Sequence, residues 1–285
     1  MAKGIGKKLK SRLLRKEETL DLHDPAVTQE LFSLELGKDY KKYWDNLAAT
    51  KQLAYFAVAG LPFGELPDDK NIEEHGRQTA EIIAKKLEIT PKDDVLEVGV
   101  GVGRIAGHIA KVCKSFTGID ISKQMIKFAK KRLDHVPNIK LILHPQSDLS
   151  LFPDKSFDKV YFQIVLIHLD REDVFHYLRE SFRVLKPGGR AWFQFYNLLH
   201  PEGFKEFRHA VDMSVKLGGK LRGRVQCLTA DEVRKYVSEA GFKILGDKSY
   251  LNTENQKYEF EPPDTHWFYY LIAVCEKPKE GPAKG

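Results

Sequence analysis

The most constraining feature of this sequence is the run Asp94-Val-Leu-Glu-Val-Gly-Val-Gly-Val-Gly103, in which an apolar segment passes an acid and opens into three alternating glycines. The apolar half is typical of a buried strand. Glycines lack the Cβ atoms that keep backbone amides away from a bound molecule, and they accept the positive φ angles of a sharp strand-to-helix turn. The run therefore predicts a strand, a ligand-binding turn and a helix that begins near Arg104.

A second acid extends this pattern. Ser115–Asp120 is predicted as the next strand, and Asp120 ends it 19 residues after Gly101, where a carboxylate can grip a ribose diol. Ser122 is placed to cap the helix that follows. Because Gly101-Val-Gly-Arg-Ile-Ala106 also fits the dinucleotide pattern G-x-G-x-x-A, the glycines alone leave a nicotinamide cofactor open.

Four motifs follow one another in a specific order along the chain. They are Leu96–Gly103, Gly118–Ser122, Phe152–Asp158 and Arg183–Gly189. The last two lead into predicted strands at Lys159–Leu166 and Arg190–Phe195. Together the four resemble the class I S-adenosylmethionine-dependent methyltransferases over residues 71–275. A nicotinamide-dependent oxidoreductase has no comparable explanation for the second half, so it is kept as a minor alternative.

Alternating strands and helices predict an α/β fold, with a doubly wound, mostly parallel sheet covered on both faces. The resemblance implies a Rossmann-like sheet of seven strands with the last one antiparallel, and Gly241–Leu245 and His266–Cys275 fit its final strands. The expected organisation is a basic tail or amphipathic helix at 1–25, a helical lid at 26–90 and the cofactor-binding domain at 91–278, with a cap insertion at 201–226.

The resemblance implies S-adenosylmethionine as the cofactor and S-adenosylhomocysteine as its product. The cofactor-binding candidates are Glu97 at the amino group, Gly99, Gly101 and Gly103 along the methionine part, Asp120 at the ribose, Ile121 and Met125 at the adenine, Ser147 or Asp148 at the exocyclic amine, and Gln163. The choice between Ser147 and Asp148 stays open, because His144–Asp148 replaces the usual Gly-Asp pair. Gly76 and Arg77 lie where relatives bring a side chain to the methionine carboxylate.

The acceptor site is expected at the ends of the fourth and fifth strands. His168 is the candidate general base for a hydroxyl or amine acceptor, although it could instead orient the loop Ile167–Asp170. Candidate pocket residues are Tyr43, Tyr55, Tyr196, Asn197 and His200, beside Gln163. The aromatic residues between Tyr40 and Phe56 are either lid residues that exclude water or ordinary helix packing.

Charge is concentrated at the amino terminus. The first 16 residues hold seven basic side chains and no acid. Removing these seven from the 46 basic residues leaves 39 against 40 acids, so the body carries no net positive charge and nucleic acid is not expected as a partner. Ile5, Leu9, Leu13 and Leu14 could share one helical face, which would suit peripheral contact with an anionic membrane; a solvated tail is the alternative.

No apolar core follows these charges, so a signal peptide is not expected, whereas an acid-poor organelle-targeting segment stays open. The three cysteines show no metal-ligand spacing, which predicts no metal site and suits a cytoplasmic protein. The leading hypothesis is methyl transfer by direct displacement to a small-molecule or lipid-like acceptor. A noncatalytic cofactor-binding partner protein is the main alternative, and the oligomeric state is left open.

Overall fold

An eight-stranded sheet runs through the part of the chain that the computed structural model describes, residues 40–59, 67–220, 223–245 and 270–279. Its strands are β1 Asp94–Val98, β2 Ser115–Asp120, β3 Ile139–Leu143, β4 Phe157–Phe162, β5 Leu185–Asn197, β6 Cys227–Leu228, β7 Lys243–Ile244 and β8 Tyr270–Glu276. The helices are α1 Tyr40–Leu47, α2 Lys51–Ala59, α3 Asp69–Leu87, α4 Ala106–Ile109, α5 Lys123–Leu133, α6 Arg171–Val184, α7 Pro201–Leu217 and α8 Ala230–Glu239. A 3-10 turn, Leu166–His168, follows β4.

The strand order confirms the predicted sheet. It is β3-β2-β1-β4-β5-β8-β7, with the two-residue β6 beside the end of β5. Strand β1 pairs in parallel with both β2 and β4, whereas β8 is antiparallel to β5 and β7. Because the chain turns from one side of β1 to the other between β3 and β4, a crevice forms at the carboxyl ends of β1 and β4. Open α/β sheets bind their ligands in such a crevice.

Each face of the sheet packs against its own layer of helices. Strand β5 illustrates this, because its side chains alternate between the two layers. Trp192 joins the core under α3, α4 and α5, whereas Phe193 and Phe195 join the core under α6 and α8. All three side chains are at most 1% exposed. The sheet is therefore a rigid platform whose strand ends hold the candidate site in place.

Helices α1, α2 and α3 lie within the predicted lid region, 26–90, and of these α1 and α2 cover the crevice. The side chain of Asp45 on α1 accepts a hydrogen bond of 2.7 Å from the Ser122 hydroxyl, at the start of α5. Tyr55 on α2 bonds Asp69, the first residue of α3, and accepts from Arg132 of α5 at 2.5 Å. These bonds tie the two lid helices to the edge of the sheet where the crevice opens.

The structure departs from two predicted elements and leaves others untested. The helix expected near Arg104 is only the single turn α4, because only the five residues Ala110–Lys114 separate its end from β2. Strand β7 is two residues long rather than five. Residues 1–39 and the predicted strand start at 266–269 lie outside the described residues. No helix in the described ranges is long and apolar enough to cross a membrane.

Candidate cofactor and acceptor site

A cavity lies at the carboxyl ends of β1, β2 and β4, beneath α1 and α2. Eight of the ten predicted cofactor-binding residues line it: Glu97, Gly99, Gly101, Asp120, Ile121, Met125, Ser147 and Gln163. Gly103 and Asp148 do not. The lid contributes Tyr40 and Trp44 from α1 and Ala57 and Val58 from α2. Residues that are far apart in sequence therefore enclose one space.

The three glycines of the turn have positive φ angles, but they serve different surfaces. A Cβ atom on Gly99 would lie 2.3 Å from Val165, and one on Gly101 would lie 2.8 Å from Val58, so both glycines permit a close wall around the cavity. A Cβ on Gly103 would instead lie 2.6 Å from Leu133 on α5. The third glycine therefore allows helix packing, which explains why it does not line the cavity.

Asp120 connects the glycine turn to the next helix. One carboxylate oxygen accepts from the Gly101 amide and the other from the Ser122 amide, both at 2.8 Å. Burial raises the pKa of Asp120 to about 6. Each oxygen has a further lone pair for a hydroxyl donor, and the side chain faces the cavity, so the geometry fits the predicted ribose contact.

Glu97 is the buried acid on the cavity floor. It is 2% exposed, and its Oε2 has no hydrogen-bond partner among the described residues. Burial raises its pKa to about 8, although the charge of Arg104 opposes this shift. An orphaned carboxylate oxygen in a cavity is suited to a cationic donor such as an ammonium group.

Arg104 is a cavity residue that sequence reasoning missed. Its side chain is 5% exposed, donates from Nε to the Val58 carbonyl at 2.9 Å and lies 3.5 Å from the Thr79 hydroxyl. Burial lowers its pKa to about 10, which still leaves it charged at neutral pH. The available signal was its position directly after the last glycine. The cavity floor therefore holds an acidic and a basic side chain, Glu97 and Arg104. These match the ammonium and carboxylate groups of an amino acid moiety.

Arg77, the residue considered for the methionine carboxylate, is instead exposed on α3. It pairs with Glu74 at 2.6 Å and with Glu81 at 2.5 Å, and it does not line the cavity. Gly76 has an indirect part, because a Cβ there would lie 2.1 Å from the Arg104 carbonyl oxygen. The absent side chain lets α3 approach the backbone that carries the buried arginine.

At the adenine end, the structure separates the two candidates for the exocyclic amine. Ser147 lines the cavity. The Asp148 carboxylate is engaged elsewhere: it lies 3.0 Å from His144 Nε2 and accepts from the Ser150 amide and hydroxyl. The bonds to Ser150 and His144 hold the pKa of Asp148 below its usual value despite partial burial. This arrangement favours Ser147 as the group that faces a bound ring.

His168 lies behind the cavity wall. Its Nδ1 donates to the Gly223 carbonyl at 2.9 Å, and its ring packs edge-on against Trp44, 4.8 Å between centroids. Burial lowers the pKa of His168 to about 4, so the ring is neutral at physiological pH with Nε2 as its only basic nitrogen. Trp44 and Leu169 line the cavity and His168 does not. A role as base therefore requires that an acceptor reach past Trp44.

The five predicted pocket residues other than Gln163 do not line the described cavity, and each has a structural contact instead. Tyr43 packs against Gly223, and Tyr55 bonds Asp69 and Arg132. Tyr196 packs on Tyr270, with 4.8 Å between ring centroids.

The remaining two hold the turn after β5. Asn197 accepts from the Leu199 amide, and His200 caps α7 by accepting from the Glu202 amide. Of the aromatic residues between Tyr40 and Phe56, Tyr40 and Trp44 line the cavity, one helical turn apart on α1. Which face of a short helix turns inward depends on its packing partner, and the sequence pattern does not show it.

Residues 96–193 match the family model described as a methyltransferase domain. This range extends from the glycine turn to the middle of β5, and it sits on a sheet whose final strand is antiparallel. The match supports the resemblance to the class I S-adenosylmethionine-dependent methyltransferase superfamily. The matched range includes all four motifs, whereas the nicotinamide alternative does not explain the last two, so that alternative is dropped.

Similar proteins include methyltransferases that act on different acceptors. The demethylmenaquinone methyltransferase of Tropheryma whipplei is 38% identical over 116 residues, which cover 41% of this chain and 46% of the relative. Phosphoethanolamine N-methyltransferase 1 of Zea mays is 28% identical over 53% of this chain and 29% of its own length. This methyltransferase chain therefore spans less than half the length of these two relatives, and they do not agree on one acceptor.

Among solved structures, the magnesium protoporphyrin IX methyltransferase of Synechocystis PCC 6803 with bound S-adenosylhomocysteine has a TM-score of 0.56. It is 19% identical, and the match covers 83% of this chain and 97% of that one, which shows the shared fold. The cofactor of this methyltransferase domain is S-adenosylmethionine. Its cavity fits that group, because Glu97, Arg104 and Asp120 provide partners for ammonium, carboxylate and ribose groups around a turn without Cβ atoms.

Proposed function

We propose that the protein transfers the methyl group of S-adenosylmethionine to a small-molecule or lipid-like acceptor. The observation that carries the proposal is the convergence of Glu97, Asp120 and the Gly99–Gly101 turn on one cavity at the switch point of the sheet. Two buried acids with raised pKa values in one cleft are characteristic of a functional site rather than of a packed core.

The bound cofactor supplies an activated methyl group on a positively charged sulfur. An acceptor atom forms the new bond to the methyl carbon as the carbon–sulfur bond breaks. The electron pair of the broken bond stays on sulfur, and the acceptor releases a proton. The protein's work is orientation: Asp120 and Glu97 fix the two ends of the cofactor relative to the acceptor side. Correct orientation can contribute ~7–11 kcal/mol to lowering the barrier.

The lid excludes water from the reaction. Tyr40 and Trp44 close the cavity from α1, and Val58 closes it above Gly101. The Tyr40 hydroxyl accepts from the Asp170 amide at 2.8 Å and donates to Asp173 at 3.0 Å, so the start of α1 is held against α6. Asp170 and Asp173 both follow the carboxyl end of β4, where we place the acceptor. The position of α1 therefore also shapes the acceptor side of the cavity.

An exposed apolar face on α7 supports a lipid-like acceptor. Phe204, Phe207, Val211 and Val215 are between 43% and 77% exposed and lie on one side of the helix, beside Arg208. Helix α7 starts just after β5, at the same edge of the sheet as the cavity. We propose that this face and the basic residues within 1–16 bind an anionic membrane surface that supplies the acceptor.

A vesicle experiment tests this membrane contact. Vesicles containing phosphatidylglycerol should bind the protein better than phosphatidylcholine vesicles, and Phe204→Glu should weaken partitioning by ~1.5–3 kcal/mol through lost apolar burial. Val112→Glu is the matched control, since Val112 is also exposed but precedes β2 at the opposite edge of the sheet. Equal losses in the two variants, or no vesicle binding at all, would exclude the α7 face.

The experiment that tests methyl transfer itself has two stages. Calorimetric titration with S-adenosylmethionine, S-adenosylhomocysteine and NAD should give binding of the two sulfur compounds and not of NAD. Incubation with the labelled cofactor and a panel of quinols, phenols, amines and lipids should then transfer label to one class. Tight cofactor binding without transfer to any class would favour the noncatalytic alternative.

A further inference from the structure

Two buried glutamines lie side by side at the acceptor end of the sheet. Strands β4 and β5 are paired with Phe162 opposite Phe193, and the next residues along are Gln163 and Gln194. Gln163 is 6% exposed and lines the cavity, and Gln194 is fully buried. Gln163 is one of the predicted cofactor-binding residues, but the contacts assigned above to the ammonium, carboxylate and ribose groups use neither glutamine.

Chemistry fixes which way both amides point. The Gln163 oxygen accepts from the indole nitrogen of Trp192 at 3.1 Å, and an indole N–H can only donate. The Gln194 oxygen accepts from the backbone amide of Ile164 at 3.1 Å, which also can only donate. Exchanging oxygen and nitrogen in either amide would place two donors against each other. Each glutamine therefore keeps its Nε2 as a donor, and neither Nε2 has an acceptor among the described residues.

The bond from Gln194 also sets the backbone beside Gln163. Ile164 has a φ of +59°, in the left-handed region that β-branched residues rarely adopt. Such strain persists only where the surrounding structure imposes it, and it concentrates at functional sites. Here the Gln194 oxygen holds the Ile164 amide at the point where β4 ends, and Ile164 itself lines the cavity. Gln194 is thus a positioning residue for the cavity wall.

We infer that Gln163 binds a hydrogen-bond-accepting oxygen of the methyl acceptor, such as a carbonyl or phenolate oxygen. This inference rests on the proposed function. A buried donor without a partner is unfavourable, and a substrate oxygen removes that penalty. A protonated amine would bring donor against donor. The neighbouring wall is apolar, from Ile164, Val165 and Leu169, so the oxygen belongs to a largely apolar molecule.

Three small probes of similar shape test this recognition: 1-tetralone, which carries a ketone oxygen, tetralin, which lacks it, and 1-aminotetralin, which carries a cation. Dissociation constants are measured on the full chain with S-adenosylhomocysteine present. The expected result is that 1-tetralone binds about tenfold more tightly than tetralin or 1-aminotetralin. A tenfold ratio of dissociation constants is about the effect expected of one or two hydrogen bonds. Equal binding of 1-tetralone and tetralin to the natural protein would overturn the inference.

Variants assign the preference to the glutamine. Gln163→Glu keeps an oxygen for Trp192 and removes the donor, and Gln163→Leu removes both; each should reduce the preference for 1-tetralone to near one. Gln78→Leu is the control, because it makes the same substitution at an exposed glutamine of α3 that does not line the cavity. The preference should survive in this variant.

Three further outcomes separate the inference from the proposed function. A normal preference for 1-tetralone in both Gln163 variants would overturn the inference, and so would a large loss of S-adenosylhomocysteine affinity, which would assign Gln163 to the cofactor. Failure of the natural protein to bind S-adenosylhomocysteine would refute the proposed function instead. The probe preference can be measured without that compound, so the two failures are distinguishable.

Discussion

Cofactor binding should depend on pH through Glu97. In the free protein burial raises the pKa of Glu97 to about 8, so the side chain is mostly protonated at pH 6.5. A bound ammonium group favours the ionised carboxylate, and binding must then release the proton. Each pH unit below the raised pKa opposes this by ~1.4 kcal/mol, a factor of ten in affinity. Affinity for S-adenosylmethionine should therefore rise about tenfold from pH 6.5 to 7.5.

Calorimetry in two buffers of different ionisation enthalpy measures both the affinity and the proton released. At pH 7 we expect release of close to one proton per cofactor. Glu97→Gln should remove the pH dependence and weaken binding by ~1.5–3 kcal/mol at pH 7.5, through loss of a charge-assisted hydrogen bond. Glu74→Gln, which alters an exposed acid of α3, should behave like the natural protein. A flat pH profile in the natural protein, or an unchanged slope in Glu97→Gln, would refute the reasoning.

Three other predictions concern single residues. Asp120→Ala should weaken cofactor binding by ~1–3 kcal/mol in calorimetry, and an unchanged affinity would contradict the ribose contact. Gly76→Ala should destabilise the protein by ~1–3 kcal/mol in denaturant unfolding, because its Cβ would meet the Arg104 carbonyl at 2.1 Å. Gly219→Ala, with open space around its Cβ, should not. If His168 is the base, His168→Ala should reduce turnover by ~10²–10⁴-fold, and a loss below about tenfold would exclude that role.

Features that depend on local chain geometry could be read from the sequence. The glycine turn, Glu97 and Asp120 were predicted correctly as a group at strand ends, because glycine spacing and an acid after an apolar run dictate a specific backbone path. The mostly parallel, doubly wound sheet followed from the alternation of strands and helices, whereas the antiparallel last strand was implied by the family resemblance. These inferences needed no knowledge of which side chains meet.

Features that depend on packing could not be read from the sequence. Arg104 looked like the start of a helix, yet α3 approaches it through Gly76 and buries it in the cavity floor. Tyr55 looked like a pocket residue, but its hydroxyl binds Asp69 and Arg132 from two other helices. In both cases the partner lies on a separate element, and hydropathy cannot say which face of a helix it will meet.

The sequence by itself determined the class of fold, the cofactor turn and the acids at the ends of β1 and β2, because these follow from backbone geometry over a few consecutive residues. Only the tertiary structure decided that Arg104 faces the cofactor cavity, that Tyr40 and Trp44 close it, and that Gln194 holds the strained Ile164 beside Gln163. The physical reason is that burial and hydrogen-bond pairing are properties of three-dimensional neighbours, which are set when the sheet brings distant strand ends together.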